Sequence, residues 1–530
     1  MPKSSRPNFL LFITDQHRAD FLGCYGHPVL RTPNIDSIAK RGTAFDRFYV
    51  ASPVCQPNRA SLMTGRMPSV HDVRSNGISL SMEAVTFVDL LRDAGYKTAL
   101  IGKSHLQNFT QHDPIIKRKP PREGFHEPSP ALRQSLRDHL DDPKYEQETP
   151  QYWTNPGAHV QTPFYGFDHV TLVRNHGDEA GADYDRWLEA RDPKAKNLLG
   201  PKNSLPHDYK VPQAYRTAIP EELYATAFLG ERACAYLDEI DEDAPFFLMV
   251  SFPDPHHPFN PPGKYWDMYK PEQFAVPEAF SRNDWTPPAL VQNIIKDREA
   301  GKANLTGMGT IGVSAREAQE ARALTAGMIA CVDDAIGKVL GVLDNSGQRD
   351  NTVVIFTSDH GDHLGDHRLM LKGAEQYQSI VRVPFIWADP QAKGQVPRTD
   401  ALASTMDIGS TVLERARIEP ASGVQARSFL PVMSGGTVRD SVFIQYDHQA
   451  SSAGTNEPAR VHTLIDGRYR ISVFHGTGWS ELYDLKDDPG EFDNLWDDPA
   501  HARTRAAMTE KLLLAEIEHI DRAPLPTRRA

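Results

Sequence analysis

The chain has 530 residues, 39% hydrophobic and 24% charged, which is the composition of a folded protein with room for several structural units. Its 70 acidic residues exceed its 58 basic ones, leaving a formal charge of −12. That balance argues against nucleic acid as a partner and means that an anionic substrate must be held by local cations. The four cysteines (Cys24, Cys55, Cys234 and Cys331) form no C-x-x-C pair, so neither a disulfide framework nor a zinc site is indicated. No stretch approaches the roughly 20 apolar residues of a membrane helix.

Met1 to Arg6 runs straight into the apolar Phe9 to Ile13, a run too short for a signal-peptide core. It reads as a first buried strand over Asn8 to Thr14, and the expected location is the cytoplasm. Thr32-Pro33-Asn34 reads as a cap with proline at the first helical position, opening a helix that ends near Gly42. Phe45 to Val50 is extended. Helical spacing over Thr86 to Ala94 stops at Gly95, and the strand Lys97 to Ile101 follows. Residues from about 110 to 215, rich in Pro, Asp, His and charge, read as long loops over a site or an oligomer contact. Then come a helix near Glu221 to Ile240, the strand Phe246 to Phe252, a long helix near Ala315 to Leu343, and the strand Thr352 to Ser358.

Strand and helix alternating in this way predict an α/β fold, a mainly parallel sheet sandwiched by helices. From about residue 430 shorter extended runs, Ser441 to Tyr446 and Tyr469 to Phe474, precede a helix near Ala506 to Ile520. The expected division is a catalytic domain over 1–430, interrupted by the 110–215 loops, and a small α+β domain over 431–530.

Sites in parallel sheets lie beyond the carboxyl ends of the strands. The residues to inspect therefore follow Ile13, Ile101, Phe252 and Thr357. Strand one ends in Asp15-Gln16, and the Thr352 strand ends in Asp359-His360-Gly361-Asp362. Aspartates at two neighbouring strand ends can meet on one hard divalent cation, and histidine suits manganese or magnesium better than calcium. A turn or helix cap is the plainer role for Asp15 taken alone.

The sharpest signal is Cys55-Gln56-Pro57-Asn58-Arg59-Ala60-Ser61-Leu62-Met63-Thr64-Gly65. Taken alone Cys55 would be a small buried hydrophobe, and a cysteine-phosphatase loop fails because Ser61 stands where C-x5-R needs arginine. The segment resembles the C-x-P-x-R signature of the sulfatase family in the alkaline phosphatase superfamily. Gln56 and Asn58 depart from it, standing where small residues are usual. Gly102-Lys103-Ser104-His105 is similar to the family's G-K-x-H segment. Asp254-Pro255-His256-His257-Pro258-Phe259 is similar to its P-H-x-P-F segment and singles out His256. Lys372 falls where the family places a substrate lysine. Asp15-Gln16 with Asp359-His360 and Asn76 is instead similar to the phosphonate monoester hydrolase branch, whereas Lys103 and His105 look like the sulfatase side.

The resemblance implies an alkaline-phosphatase-like fold and hydrolysis of a small-molecule sulfate monoester. Phosphonate monoester or phosphodiester hydrolysis is the alternative use of the same site. It implies that Cys55 is oxidised to formylglycine by a maturation enzyme, and that Asp15, Gln16, Cys55, Asp359 and His360 bind one divalent ion, Ca2+ or Mn2+. Arg59 would orient residue 55. Lys103, Lys372 and Asn76 would bind the substrate, His256 or Lys372 would act as general acid, and His105 as base. An unmatured binding protein with a plain thiol at Cys55 is the non-enzymatic alternative. A homo-oligomer is expected, with no membrane partner.

Overall fold

The computed structural model describes residues 6–110, 112–117, 119–132, 142–240, 244–451 and 458–529. Met1 to Ser5, on which the expected location partly rests, lie outside the described residues.

The first strand, β1 (Asn8–Thr14), is buried at every position. Parallel strands covered on both faces read as continuous apolar runs, and β1 does so. Leu10 and Phe12 point into one core, and Phe9, Leu11 and Ile13 into a second core on the opposite face. Eight further strands complete the sheet: β2 (Thr43–Phe45), β3 (Lys97–Gly102), β4 (His169–Arg174), β5 (Gly181–Ala182), β6 (Phe246–Ser251), β7 (Thr352–Ser358), β8 (Phe385–Ala388) and β9 (Arg398–Thr399). Their order is β9-β2-β8-β7-β1-β6-β3-β4-β5. The five strands from β7 to β4 are mutually parallel, while β8 and β5 run antiparallel to their neighbours.

Register sets the site. Ser251 pairs with both Ile13 and Gly102, and Thr14 pairs with Ser358. Asp15 and Asp359, one residue on, therefore leave the adjacent strands β1 and β7 at one level, while Lys103 leaves β3, on the far side of β6, one residue short of that level. Gly102 permits this convergence. It has φ +120, and a Cβ there would lie 1.9 Å from the Ser251 carbonyl oxygen.

Among the helices, α1 (Pro33–Lys40), α2 (Cys55–Thr64), α3 (Phe87–Asp93), α4 (Asp183–Arg191), α5 (Ala225–Glu239), α6 (Ala315–Asn345), α7 (Asp407–Ala416) and α8 (Ala502–Glu518) matter here. Helices α1, α5 and α6 contribute to the Leu10 core, and α2, α3 and α7 to the Phe9 core. A four-stranded antiparallel meander follows, β10 (Ser441–Ser451), β11 (Pro458–Asp466), β12 (Tyr469–Phe474) and β13 (Ser480–Asp484). It shares an apolar cluster with the large unit, Phe443, Leu464, Ile471 and Leu482 meeting Ala51, Met67 and Met406.

Two readings of the sequence need correction. The stretch read as loops over 110–215 carries β4 within the parallel sheet, as well as α4. Phe45 to Val50 is not one extended run but two short strands, β2 ending at Phe45 and a second over Phe48–Tyr49.

Candidate active site

Asp15, Gln16, Asp359 and His360 leave the ends of β1 and β7, and Cys55 opens α2 directly above them. The Cys55 Sγ lies 3.0 Å from His360 Nε2 and 3.8 Å from Asp15 Oδ1. One donor atom from each of Asp15, Cys55, Asp359 and His360 falls within 4.8 Å of the others, and all four residues are buried. Gln16, held at φ 62, donates its backbone N–H to Asp359 Oδ1 at 3.1 Å and accepts from Lys372 Nζ at 2.6 Å through Oε1.

Buried carboxylates need compensation. Arg59 Nε donates to Asp359 Oδ2 at 2.8 Å, while its Nη1 donates to the Lys103 carbonyl and to Ser251 Oγ, both at 2.9 Å. Lys103 pairs with Asp15 Oδ2. Burial alone would raise the Asp15 carboxyl, but Lys103, His256 and His176 hold it well below the usual carboxylate range. Burial and the Asp15 charge likewise push the Cys55 thiol up, yet Lys372, His360 and Lys103 outweigh them and leave it below its ordinary value. His360 moves the other way. Burial and Lys372 oppose its charge, but Asp359 and Cys55 raise it overall.

The residues fit a divalent cation. Two carboxylates, an imidazole and residue 55 converge in a buried site, a donor set able to hold a divalent ion. Arg59 Nη2 and His105 Nδ1 beside this cluster are buried with no hydrogen-bond partner.

The other side of the pocket is cationic. Lys372 Nζ lies 2.9 Å from His256 Nε2, and Lys103 Nζ lies 2.9 Å from His176 Nε2. His105, after β3, is held by its backbone N–H to Glu148 Oε2 at 2.8 Å, with its ring against Phe109. Burial, Lys103 and Arg59 keep its imidazole well below its ordinary pKa. Asn76 Oδ1 accepts from the Gln56 backbone N–H at 3.2 Å, which places it at the mouth of the first turn of α2.

Every residue singled out from the sequence therefore lies in or beside one pocket. Two more belong to it. His257 Nδ1 lies 3.2 Å from Gln16 Nε2, although the motif had favoured His256 alone. His176 sits beyond the end of β4, 3.2 Å from Asp15 Oδ2, in the stretch whose composition reads as loop. The signal that could have found it is the alternation His169-Val170-Thr171-Leu172-Val173, an edge-type strand, followed by a histidine three residues on. With it, five successive strand ends supply the pocket.

Comparison with known proteins bears on this arrangement. The sequence profile of the sulfatase family matches residues 7–418, and that of the N-sulphoglucosamine sulphohydrolase C-terminal region matches residues 363–518. The chain is similar to the uncharacterized sulfatase YidJ of Escherichia coli (strain K12), 30% identical over 512 residues, covering 96% of this chain and 86% of that one. It is 28% identical to an arylsulfatase of Clostridium perfringens (strain 13 / Type A), covering 97% and 95% respectively. Among solved structures, the phosphonate monoester hydrolase of Agrobacterium radiobacter matches with a TM-score of 0.75 at 26% identity, over 99% of this chain and 100% of that one.

Proposed function

We propose, since the chain belongs to the sulfatase family and hydrolyses sulfate esters, that residue 55 is the nucleophile after oxidation of Cys55 to formylglycine. The observation that carries this reading is the position of Cys55. Its Sγ, standing where a formylglycine oxygen would lie, is buried between Asp15 and His360, in the field of Lys103 and Lys372.

Asp15, Gln16, Asp359, His360 and residue 55 would hold one divalent cation, Ca2+ or Mn2+. When bound, that cation lowers the pKa of a hydroxyl on residue 55 and offsets charge on the sulfuryl group. Hydrated formylglycine carries two hydroxyls on one carbon. One attacks sulfur in line while Arg59, fixed by Asp359, Ser251 and the Lys103 carbonyl, supports the first turn of α2. Lys103 and Lys372 bring ammonium groups to the sulfuryl oxygens, an electrostatic role that a buried site strengthens. Asn76 adds a substrate contact at the mouth. The Lys372–His256 pair supplies the proton that the leaving alcohol takes. His105, neutral through burial, then accepts the proton of the second hydroxyl, the C–O bond to sulfate breaks as C=O forms, and sulfate departs with the aldehyde restored.

A second reading, hydrolysis of phosphonate monoesters or phosphodiesters at this site, is favoured by Asp15-Gln16 with Asn76 and by the phosphonate monoester hydrolase neighbour. Lys103 and His105 weigh toward sulfate. The proposal also includes a formylglycine-generating maturation enzyme as partner, a cytoplasmic location and a homo-oligomeric assembly. The test is turnover of 4-nitrophenyl sulfate against a 4-nitrophenyl phosphonate monoester, with peptide mass spectrometry across residue 55. Faster sulfate turnover and an aldehyde at position 55 are expected. Faster phosphonate turnover would reverse the order of the readings, and full activity with only a thiol at position 55 would remove the formylglycine mechanism.

A further inference from the structure

The loop beyond β4 turns through Asn175 (φ 63) and places His176 just before a short 3-10 turn, Gly177–Glu179. The next carboxylate, Asp178, is buried and fully engaged. It accepts from Thr217 Oγ1 at 2.5 Å, from the Tyr215 hydroxyl, from Asn260 Nδ2 at 3.1 Å and from the Gly200 N–H at 3.3 Å. Asn260 belongs to the loop after β6 that carries His256. The two loops touch at Gly177, where a Cβ would lie 2.6 Å from Asn260 Oδ1. They are thus clasped side by side, and each presents one imidazole to the pocket.

Those imidazoles stack. The His176 and His256 ring centroids are 3.7 Å apart with the planes 8° from parallel. The other face of His256 meets His257 at 4.1 Å and 27°. Both nitrogens of His256 are also engaged, Nδ1 with the His257 carbonyl at 2.6 Å and Nε2 with Lys372 Nζ at 2.9 Å. His256 is therefore the middle ring of three, held on two faces and two edges. Asp15, His176 and His256 also bring donor atoms within 4.8 Å of one another. Each of those groups already faces an ammonium, Lys103 at Asp15 and His176 and Lys372 at His256, so the trio favours ring placement over a second cation.

We propose that His176 is a positioning residue for leaving-group departure: by stacking on His256 it fixes the Lys372–His256 pair against the leaving oxygen. A displacement of the order of an ångström in such a group costs about 100-fold in rate. Poor leaving groups depend on the proton and good ones scarcely do, so the effect must scale with leaving-group basicity. Lys103 and Asp15 each lose a polar neighbour as well, which acts on substrate and cation binding alike for both substrates and is separable.

The experiment compares 4-nitrophenyl sulfate with phenyl sulfate for the matured enzyme, His176→Ala, His176→Phe and His256→Ala. For His176→Ala, kcat should fall at least about tenfold further on phenyl sulfate than on 4-nitrophenyl sulfate, the scale of a general acid set out of place. His176→Phe keeps a flat ring against His256 and loses the contacts with Lys103 and Asp15. It should restore the wild-type ratio of the two kcat values while KM stays raised. Equal losses on both substrates for His176→Ala, or a His176→Phe variant as discriminating as His176→Ala, would overturn the proposal. It rests on the Lys372–His256 pair as proton source, and His256→Ala separates the two failures. If His256→Ala shows no leaving-group dependence, that reading fails and takes the proposal with it. If His256→Ala discriminates and His176→Ala does not, only the role of His176 falls.

Discussion

Gln56 and Asn58 occupy the two variable positions of the C-x-P-x-R segment, and each makes a bridge that a smaller side chain could not span. Asn58 Oδ1 accepts from the Ala51 N–H at 2.9 Å and from Thr405 Oγ1 at 2.7 Å, while its Nδ2 donates to the Asp359 carbonyl at 2.6 Å. Gln56 Oε1 accepts from the Gly77 N–H at 2.9 Å and so holds the turn that carries Asn76. The departures from the family pattern thus tie α2 to the β7 end and to the pocket mouth. Residue 55 itself has a sharp test. Serine in its place offers one hydroxyl, so after attack on sulfur no second hydroxyl remains to expel sulfate. Cys55→Ser is expected to complete at most one turnover, leaving a sulfated serine visible by intact mass, with Asp15, Gln16, Asp359 and His360 untouched. Sustained cycling near the wild-type rate would make residue 55 an ordinary hydroxyl nucleophile and move the protein toward phosphatase chemistry.

Elements differ in how plainly the sequence announces them. β1, β3, β6 and β7 are legible because strands buried on both faces are continuous apolar runs, and the motifs Asp15-Gln16, Lys103-Ser104-His105, His256 and Asp359-His360 hang from their ends. β4 begins with the exposed His169 and is only half buried over Val170 and Thr171, because it lies near the sheet edge, so its pattern merges with the polar stretch around it. The cap of α1 fails for a different reason. Thr32 stands at the cap position, but its hydroxyl donates to Asp36 Oδ1 at 2.9 Å and caps nothing. The N–H groups of Asn34 and Ile35 are taken instead by Asp333 of α6, at 3.2 and 2.8 Å, a contact across some 300 residues that no local pattern reveals. Burial raises the Asp333 carboxyl to about 6, although those N–H groups pull it down. A raised folded pKa stabilises the fold fully below the unfolded value near 3.8, and that contribution is lost as pH rises through about 6. Asp333→Asn should therefore flatten the stability curve across that window. The wild type should lose up to about 3 kcal/mol more than the variant between pH 4 and 7. Parallel curves from thermal unfolding would show that Asp333 does not titrate in that range.

At the scale of the whole molecule, the small antiparallel sheet is coupled to the active-site half through one buried cation. Arg470 on β12 is fully buried. Its Nε donates to Glu491 Oε1 at 2.5 Å, its Nη1 to Glu481 Oε2 at 3.1 Å, and its guanidinium lies 5.3 Å from the Tyr377 ring. Glu491 passes the connection on. Its Oε2 accepts the Gln378 N–H at 2.7 Å and its carbonyl faces His367 Nε2 at 3.1 Å, both on the segment that surrounds Lys372. His367 in turn stacks on Tyr377 at 3.7 Å. Burial pushes both Glu481 and Glu491 up, and Arg470 is the main opposing influence, helped at Glu491 by the Gln378 N–H. Arg470→Met fills much of the space but leaves two buried carboxylates without a counter-ion. Breaking such a network costs about 3–5 kcal/mol. In the variant both carboxyls rise further, so the folded state binds more protons than the unfolded one. The deficit should accordingly be smaller at pH 5 than at pH 8. Adding Glu481→Gln and Glu491→Gln removes the uncompensated charges and should recover most of the stability without restoring Arg470. Thermal unfolding at the two pH values, with kcat beside it, reads both halves of the coupling. An Arg470→Met variant as stable as the wild type at pH 8 would show that the shared apolar cluster around Met67 and Met406 joins the sheets without help from this charge network.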